Sequence, residues 1–142
     1  MGKQAIGIED IIAARAVGRG IVKHTPITES YALSDMCGGS VIFKAENLQR
    51  TGSFKVRGAL NKLHSLGSGV GAGVTAGSAG NHAQAIAFAA RHHGVPCQIF
   101  VPAGASLSKI EQCRTYGATV VEGGDTLDDA VARAKEHSAN TG

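Results

Sequence analysis

The sequence has few aromatic residues, no tryptophan and no long apolar run. Aromatic residues make up 4% of the 142 positions, and the fourteen Lys and Arg residues are scattered without a block of five. A nucleic-acid surface requires a basic stripe or stacking aromatic rings, so we expect no nucleic-acid partner. No stretch approaches the ~20 apolar residues that span a bilayer, so we also expect no membrane partner.

Cysteine is scarce as well. The three cysteines, Cys37, Cys97 and Cys113, are odd in number and widely spaced, and they include no Cys-x-x-Cys pair. This pattern argues against a disulfide framework and favours a reducing compartment. Residues 1–4 are not followed by a long apolar run, so we predict no secretory signal and expect a cytoplasmic protein.

The sequence does contain a regular alternation of predicted helices and strands, in a chain with the length of one ordinary domain. Helices are predicted over residues 8–19, 53–66, 81–93 and 108–116, with a last helix capped by Asp125. Strands are predicted over residues 40–46, 74–76, 98–101 and 118–121. Such alternation with short links predicts an α/β fold, with a parallel twisted sheet and flanking helices.

In a parallel sheet, ligands bind beyond the carboxyl ends of the strands, where loops lead into helices. One loop to consider is Thr51-Gly52-Ser53-Phe54-Lys55. Gly52 gives the turn freedom and Ser53 is a favourable N-cap, so Lys55 is predicted in the first helical turn. The positive end of the helix dipole disfavours an ammonium there, and a lysine that acts as a nucleophile must be a neutral amine. On these residues alone, Lys55 could also be a solvated surface lysine.

A second loop, Ala76-Gly77-Ser78-Ala79-Gly80-Asn81-His82, lies between a predicted strand and a predicted helix. Its small residues let several backbone N–H groups converge at the helix N-terminus, which favours binding of a carboxylate or phosphate. Asn81 could also form a hydrogen bond with a ring oxygen. The alternative is that Gly80 only turns the chain, Asn81 only caps the helix and His82 is an ordinary surface residue.

Three other patterns are assigned no function. A Gly-x-Gly-x-x-Ala pattern within residues 67–73 formally fits a dinucleotide fingerprint, but no helix opens from it, so this segment is predicted to be a flexible linker. The two histidines at 92–93 and Cys97 lack metal-ligand spacing, so we expect no metal. No Gly-x-Ser-x-Gly motif is present, which leaves Ser/His/Asp hydrolysis without support.

Two long motifs resemble those of a known family. Glu46-Asn-Leu-Gln-Arg-Thr-Gly-Ser-Phe-Lys-Val-Arg-Gly-Ala59 resembles the cofactor-lysine motif of threonine dehydratases and serine racemases. Ser78-Ala-Gly-Asn-His-Ala-Gln84 resembles their substrate-carboxylate loop. The similarity extends from Ile8 to the end of the chain, so the sequence is similar to the amino-terminal part of these fold-type-II pyridoxal-phosphate enzymes.

The resemblance implies a role for each motif. Lys55 would bind pyridoxal 5'-phosphate covalently and later move protons, with Phe54 beside the ring and Asn81 on the 3-hydroxyl. The residues implied for the substrate carboxylate are Ser78, Gly80, Asn81 and His82. The implied reaction is α,β-elimination from L-threonine, which yields 2-oxobutanoate and ammonia. We also expect a homo-oligomer.

Related activities remain as alternatives. Racemases of this group carry a serine proton donor at the position of Ala79, which cannot donate, so a dehydratase acting on L-threonine or L-serine is favoured over a serine racemase. Cysteine synthases carry an acidic residue after the lysine, where this chain has Val56, and they rank third.

The resemblance also implies that the chain is divided between two lobes. Residues 1–50 would be an amino-terminal piece of the larger lobe, and residues 51–142 would be the smaller lobe. The catalytic unit of the family is longer, and its phosphate cradle would lie beyond the position of Gly142. A non-catalytic fragment or binding lobe is therefore the competing interpretation, and we expect the 142-residue chain alone to be inactive.

Overall fold

The computed structural model describes residues 5–141. In chain order its elements are α1 (Ile8–Val17), β1 (Ile27–Glu29), α2 (Tyr31–Cys37), β2 (Ile42–Lys44), α3 (Lys55–Leu66), β3 (Val74–Gly77), α4 (Asn81–His93), β4 (Cys97–Val101), α5 (Leu107–Thr115), β5 (Thr119–Glu122) and α6 (Leu127–Thr141), with 3-10 turns at Glu46–Leu48 and Gly67–Val70. Residues 1–4, where we predict no secretory signal, and Gly142 lie outside the described residues. No helix within residues 5–141 has both the length and the apolarity to cross a membrane.

Three strands form a parallel sheet in the order β3, β4, β5. Val74 lies opposite Cys97, and Gln98 lies opposite Thr119. One helix joins each strand to the next, α4 and then α5, and these are the crossover connections that a parallel sheet needs. The predicted α/β fold class is therefore confirmed.

α4 is largely buried, and its sequence explains why. It begins after Gly80 and ends at Gly94, which adopts a left-handed conformation (φ +68°), so the predicted bounds are confirmed. Five of its seven buried residues are alanines. These small side chains let α3 approach closely, and Val56, Leu60 and Leu63 of α3 belong to the same core. The packing fixes the N-termini of α3 and α4 relative to each other.

The strand predicted over residues 40–46 is shorter than expected and lies outside the parallel sheet. It corresponds to β2, which pairs antiparallel with β1 so that Ile27 lies opposite Lys44. The Ala45 N–H extends this ladder by donating to the Pro26 carbonyl at 2.9 Å. The chain turns back through the short helix α2, so β2 pairs with the strand that precedes it and needs no crossover.

Two local predictions are corrected. Residues 67–73 are not an unstructured linker, because Val70 in the 3-10 turn is buried in the core. α6 is capped by Thr126 rather than Asp125: the Thr126 hydroxyl accepts the Asp129 N–H at 3.1 Å, and the Asp129 carboxylate accepts the Thr126 N–H at 2.9 Å. The helix predicted over residues 8–19 is confirmed as α1, and none of its residues is buried.

Candidate active site

Lys55 is the first residue of α3. Gly52 has φ +70°, a left-handed conformation that favours glycine, and it turns the chain toward the helix. The prediction that Ser53 is the N-cap is wrong. Phe54 takes that position, and the Ser53 hydroxyl accepts the Lys55 N–H at 3.4 Å. Lys55 is exposed, and its Nζ lies 5.8 Å from the centroid of the exposed Phe54 ring. The amine and the ring are therefore both accessible from one side of the loop.

Directional hydrogen bonds hold the loop that precedes Lys55. Gln49 is buried, and its Nε2 donates to the Lys23 carbonyl at 2.9 Å. Its Oε1 accepts the N–H groups of Lys23 and Arg50 at 2.8 and 3.0 Å. From the opposite side, the Tyr116 hydroxyl donates to the Arg50 carbonyl at 3.3 Å. The loop is thus tied both to the preceding chain and to the residue that follows α5.

A partly buried carboxylate ties the start of this loop to α3. Arg57 donates from Nε and from a terminal nitrogen to the two oxygens of Glu46, both at 2.8 Å, and the Thr25 hydroxyl donates to Glu46 at 2.5 Å. The hydrogen bonds from Arg57 are the main reason that the pKa of Glu46 falls to about 2; burial opposes the fall, and the Thr25 hydroxyl adds to it. Glu46 is therefore ionised at neutral pH.

The second loop leads from β3 into α4. At Gly77 the backbone of α6 passes so close that a Cβ would lie 2.5 Å from the Cα of Val131. The Ser78 N–H donates to the Phe100 carbonyl at 3.0 Å, so the remaining donor of Ser78 is its hydroxyl. A Cβ at Gly80 would meet no atom within 4 Å. The loop is thus anchored at one end and open toward the start of α4.

Three backbone N–H groups are free of helical partners at this opening. The first hydrogen bond of α4 runs from the Gln84 N–H to the Gly80 carbonyl. The N–H groups of Asn81, His82 and Ala83 therefore have no acceptor within α4. Together with the positive end of the helix dipole, they form an arrangement that binds a carboxylate or phosphate.

The two loops lie at the amino-terminal ends of α3 and α4, and these two helices share one hydrophobic core. Partial burial of the imidazole is the main cause that lowers the pKa of His82, and the nearby Lys55 ammonium lowers it further. His82 is therefore a neutral imidazole at neutral pH, and the charge of Lys55 is close enough to lower the pKa of His82. The predicted site residues that lie on these two loops or at the first residues of α3 and α4 are Phe54, Lys55, Ser78, Gly80, Asn81 and His82.

Sequence reasoning assigned no role to Lys109 or to the pair of Glu46 and Arg57. Lys109 Nζ donates to Asn81 Oδ1 at 2.8 Å. Glu46 and Arg57 lie within the first motif that carries the family resemblance, which was the available signal for them, whereas Lys109 lies outside both motifs. Lys109 and Asn81 are 28 positions apart, and Glu46 and Arg57 are 11 apart, so the contacts are visible only in the fold.

Two other features do not contribute to this site. All three cysteines are free, and burial, with a smaller contribution from Cys113, raises the pKa of Cys97 to about 12. Cys97 is therefore an unreactive core thiol at neutral pH. A cavity of about 800 Å³ lies between α1, β1 and α3; its lining includes Arg57 and Gly58 but neither Lys55 nor residues 78–82.

Comparison with known proteins identifies the family. A family model described as "Pyridoxal-phosphate dependent enzyme" matches residues 19–142. The chain belongs to the pyridoxal-phosphate dependent enzyme family. The predicted family is thus confirmed, and pyridoxal phosphate is the cofactor that this family uses.

Individual relatives give more detail. The chain is 44% identical to the L-threonine ammonia-lyase of Thermotoga maritima, over 96% of this chain and 34% of the relative. It is 45% identical to the L-threo-3-hydroxyaspartate ammonia-lyase of a Pseudomonas species, over 83% and 37% respectively. It superimposes on the structure of maize serine racemase with a TM-score of 0.88 and 34% identity, covering 97% of this chain and 42% of that one. The chain thus spans about a third to two-fifths of the length of these relatives.

The described residues have the chemistry that this cofactor needs. Lys55 offers an accessible amine, Phe54 offers a ring that is 62% exposed, and the Asn81 amide at the start of α4 is exposed as well. The Thr51 hydroxyl, four residues before the lysine, is buried and has no hydrogen-bond partner within the described chain. A buried hydroxyl of this kind normally has a partner, so it fits a loop that contacts a polar ligand.

Proposed function

We propose that the protein carrying this sequence is a pyridoxal-phosphate dependent threonine ammonia-lyase, which converts L-threonine to 2-oxobutanoate and ammonia. The observation that carries the proposal is the convergence of two loops: the Lys55 amine at the start of α3, and the free N–H groups at the start of α4. The shared core of α3 and α4 supports their proximity. Relatives that are about two-fifths identical supply the reaction class.

The amine of Lys55 would hold the cofactor and, once released by the substrate amine, would take up the substrate α-proton. Its place at the start of α3 leaves the amine exposed, so that it can reach a ligand. Phe54 would contact the cofactor ring, and Asn81 would form a hydrogen bond with its 3-hydroxyl oxygen. When bound, pyridoxal phosphate withdraws electrons from the substrate α-carbon, which makes loss of the α-proton and departure of the β-hydroxyl possible.

The start of α4 would orient the substrate. Its carboxylate would accept hydrogen bonds from the N–H groups of Asn81 and His82 and from the Ser78 hydroxyl, while Gly80 leaves room for the approach. The neutral His82 adds no counter-charge, so binding would depend on directional donors and the helix dipole. Directional donors fix the angle at which the α-proton faces Lys55.

The identity of the substrate side chain is a separate part of the proposal. The relatives that act on L-threonine and on L-threo-3-hydroxyaspartate are equally similar to this chain, at 44% and 45% identity. Both substrates are α-amino acids with a β-hydroxyl leaving group, so the elimination itself is common to them. We favour L-threonine over L-serine and over the acidic substrate, and parallel assays with the three compounds would rank them.

A serine racemase is the second candidate, because the maize enzyme has the same fold over nearly the whole chain. Racemisation requires a proton donor on the second face of the α-carbon. Ala79 lies in the carboxylate loop and carries no such donor. We therefore expect little D-serine from L-serine, and more from an Ala79→Ser variant. Substantial D-serine from the unmodified protein would favour the racemase.

The decisive experiment concerns Lys55. In the protein that carries this chain, with pyridoxal phosphate added, borohydride reduction followed by peptide mapping should place the adduct on Lys55. Lys55→Ala should abolish release of 2-oxobutanoate, while Lys62→Ala, an exposed lysine on the same helix, should leave it unchanged. An adduct on Lys62 or Lys44, or undiminished turnover by Lys55→Ala, would contradict the proposal.

The remaining parts of the proposal concern the setting of the enzyme. We infer a cytoplasmic homo-oligomer. The free cysteines are consistent with a reducing compartment. Exposed apolar side chains between Ile6 and Leu48 favour association, because large uncovered apolar surfaces are uncommon on monomers. Light scattering would give the oligomeric state.

A further inference from the structure

Lys109 contacts the site from outside the two loops that form it. It lies in the first turns of α5 and is half-buried, and its Nζ donates to Asn81 Oδ1 at 2.8 Å. Asn81 is the first residue of α4 and is exposed. A donor–acceptor distance of 2.8 Å is typical of a charge-assisted hydrogen bond.

The contact determines which end of the Asn81 amide is free. An ammonium has three donors and no acceptor, so only the amide oxygen can meet it. Rotating the amide by 180° would bring its NH2 group against the ammonium, two donors with no acceptor between them. Lys109 therefore holds the oxygen, and the NH2 group of Asn81 is the end that remains available to a ligand.

The packing of α5 does not require this contact. Ile110 and Cys113 anchor α5 in the core, with 3% and 2% of their surface exposed. Gln84 Nε2 of α4 also donates to Gln112 Oε1 of α5 at 3.2 Å. The two helices are thus joined by apolar packing and by a second hydrogen bond, and the bond between Lys109 and Asn81 lies at their exposed margin.

We propose that Lys109 is a positioning residue, which fixes the Asn81 amide so that its NH2 group is presented to the site as a donor. The group selected in this way is an acceptor oxygen on the ligand. On the proposed function, on which this inference rests, that oxygen is the 3-hydroxyl oxygen of pyridoxal phosphate in its deprotonated form. Lys109 acts only through Asn81.

A double-mutant cycle tests the proposal in the protein that carries this chain. The variants are Lys109→Met, Asn81→Ala and the double variant, and the measured quantity is the equilibrium affinity for pyridoxal phosphate by absorbance titration. Lys109→Met should weaken binding about tenfold, the size of one hydrogen bond to a charged group. The double variant should bind no more weakly than Asn81→Ala alone, because Lys109 has no effect without the amide.

Two controls separate positioning from charge and from folding. Lys62→Met removes an exposed lysine from α3 and should leave the affinity unchanged. In the cofactor-free protein, the side-chain amide proton resonances of Asn81 should shift in Lys109→Met and remain in place in Lys62→Met. A structural role of Lys109 would instead lower the thermal stability of the cofactor-free protein and leave the cycle additive.

The outcomes distinguish the two proposals. If pyridoxal phosphate binds and the effects of Lys109→Met and Asn81→Ala add, or if Lys109→Met changes neither affinity nor the Asn81 resonances, the positioning role is wrong while the proposed function stands. If pyridoxal phosphate does not bind the unmodified protein, the proposed function fails, and the positioning role fails with it.

Discussion

The chain has two regions that are held together by different interactions. Within residues 5–50, the buried side chains are those of Thr25 and Gln49, both polar. By contrast, the twenty buried hydrophobic residues of the described chain all lie within residues 51–141, between Val56 and Ala134. The amino-terminal region is thus tied down by hydrogen bonds, and the carboxyl-terminal region by apolar packing.

The difference explains how the two loops of the site are positioned. The loop before Lys55 lies at the boundary and is fixed by the side chains of Glu46 and Gln49, whose bonds specify direction as well as distance. The loop before Asn81 is fixed by the packing of α4 and by the close approach of α6 to Gly77. Lys55 and the α4 amides can therefore be disturbed separately.

The largest expected effect is in the apolar core. Leu60 of α3 is fully buried, so Leu60→Ala should lower the free energy of unfolding by about 2–5 kcal/mol. Leu48→Ala is the matched change in the amino-terminal region, where the side chain is 52% exposed, and it should cost less than about 0.5 kcal/mol. Urea unfolding followed by circular dichroism measures both. Equal losses would mean that the two regions do not differ as described.

A smaller effect is expected where α6 crosses β3. A Cβ at Gly77 would lie 2.5–2.7 Å from backbone atoms of Val131 and Ala130, so Gly77→Ala should destabilise the protein by about 1–3 kcal/mol. Gly58 of α3 is the control, because a Cβ there meets no atom within 4 Å. Gly58→Ala should stabilise the protein by about 0.5–1 kcal/mol, since alanine favours the helix interior. A neutral Gly77→Ala would show that α6 can move away from the sheet.

The sequence predicts the carboxyl-terminal region better than the amino-terminal one, for a physical reason. The bounds of α4 follow from local signals, the glycines at 80 and 94 and the apolar residues between them. The antiparallel pairing of β2 with β1 does not follow from local signals, because all residues of these strands are exposed and show no alternation between a buried and a solvent face. Strand pairing there depends on backbone bonds that the residue pattern does not reveal.

The same reasoning applies to the candidate site. The two loops could be predicted because glycines and small residues next to a predicted helix are a local pattern. The supporting contacts could not: Gln49 pairs with Lys23 across 26 positions, and Lys109 pairs with Asn81 across 28. The roles of Lys55 and Asn81 toward a cofactor stay predictions, as does the division of the chain into lobes at residue 50.

The smallest of the three expected stability effects concerns the ion pair of Glu46 and Arg57, which lies at the boundary between the two regions. Glu46→Gln removes the charge that Arg57 binds with two hydrogen bonds. Arg57 is 41% exposed and can be hydrated again, so we expect a loss of about 1–2 kcal/mol at neutral pH, less than for a fully buried pair. Glu111→Gln is the control: Glu111 and its partner Arg114 are both about half exposed, and the change should cost less than about 0.5 kcal/mol.

The pH dependence of this loss identifies its cause. The pKa of Glu46 is about 2 in the folded chain, below its ordinary value of 4.5, so folding favours the ionised form. The stabilisation is therefore fully present above about pH 4.5 and is lost as the pH falls toward about 2. Urea unfolding of the unmodified protein and of Glu46→Gln should accordingly differ at neutral pH and converge in acid. A difference that persists unchanged at acid pH would mean that the shape of the side chain, rather than its charge, ties the amino-terminal region to α3.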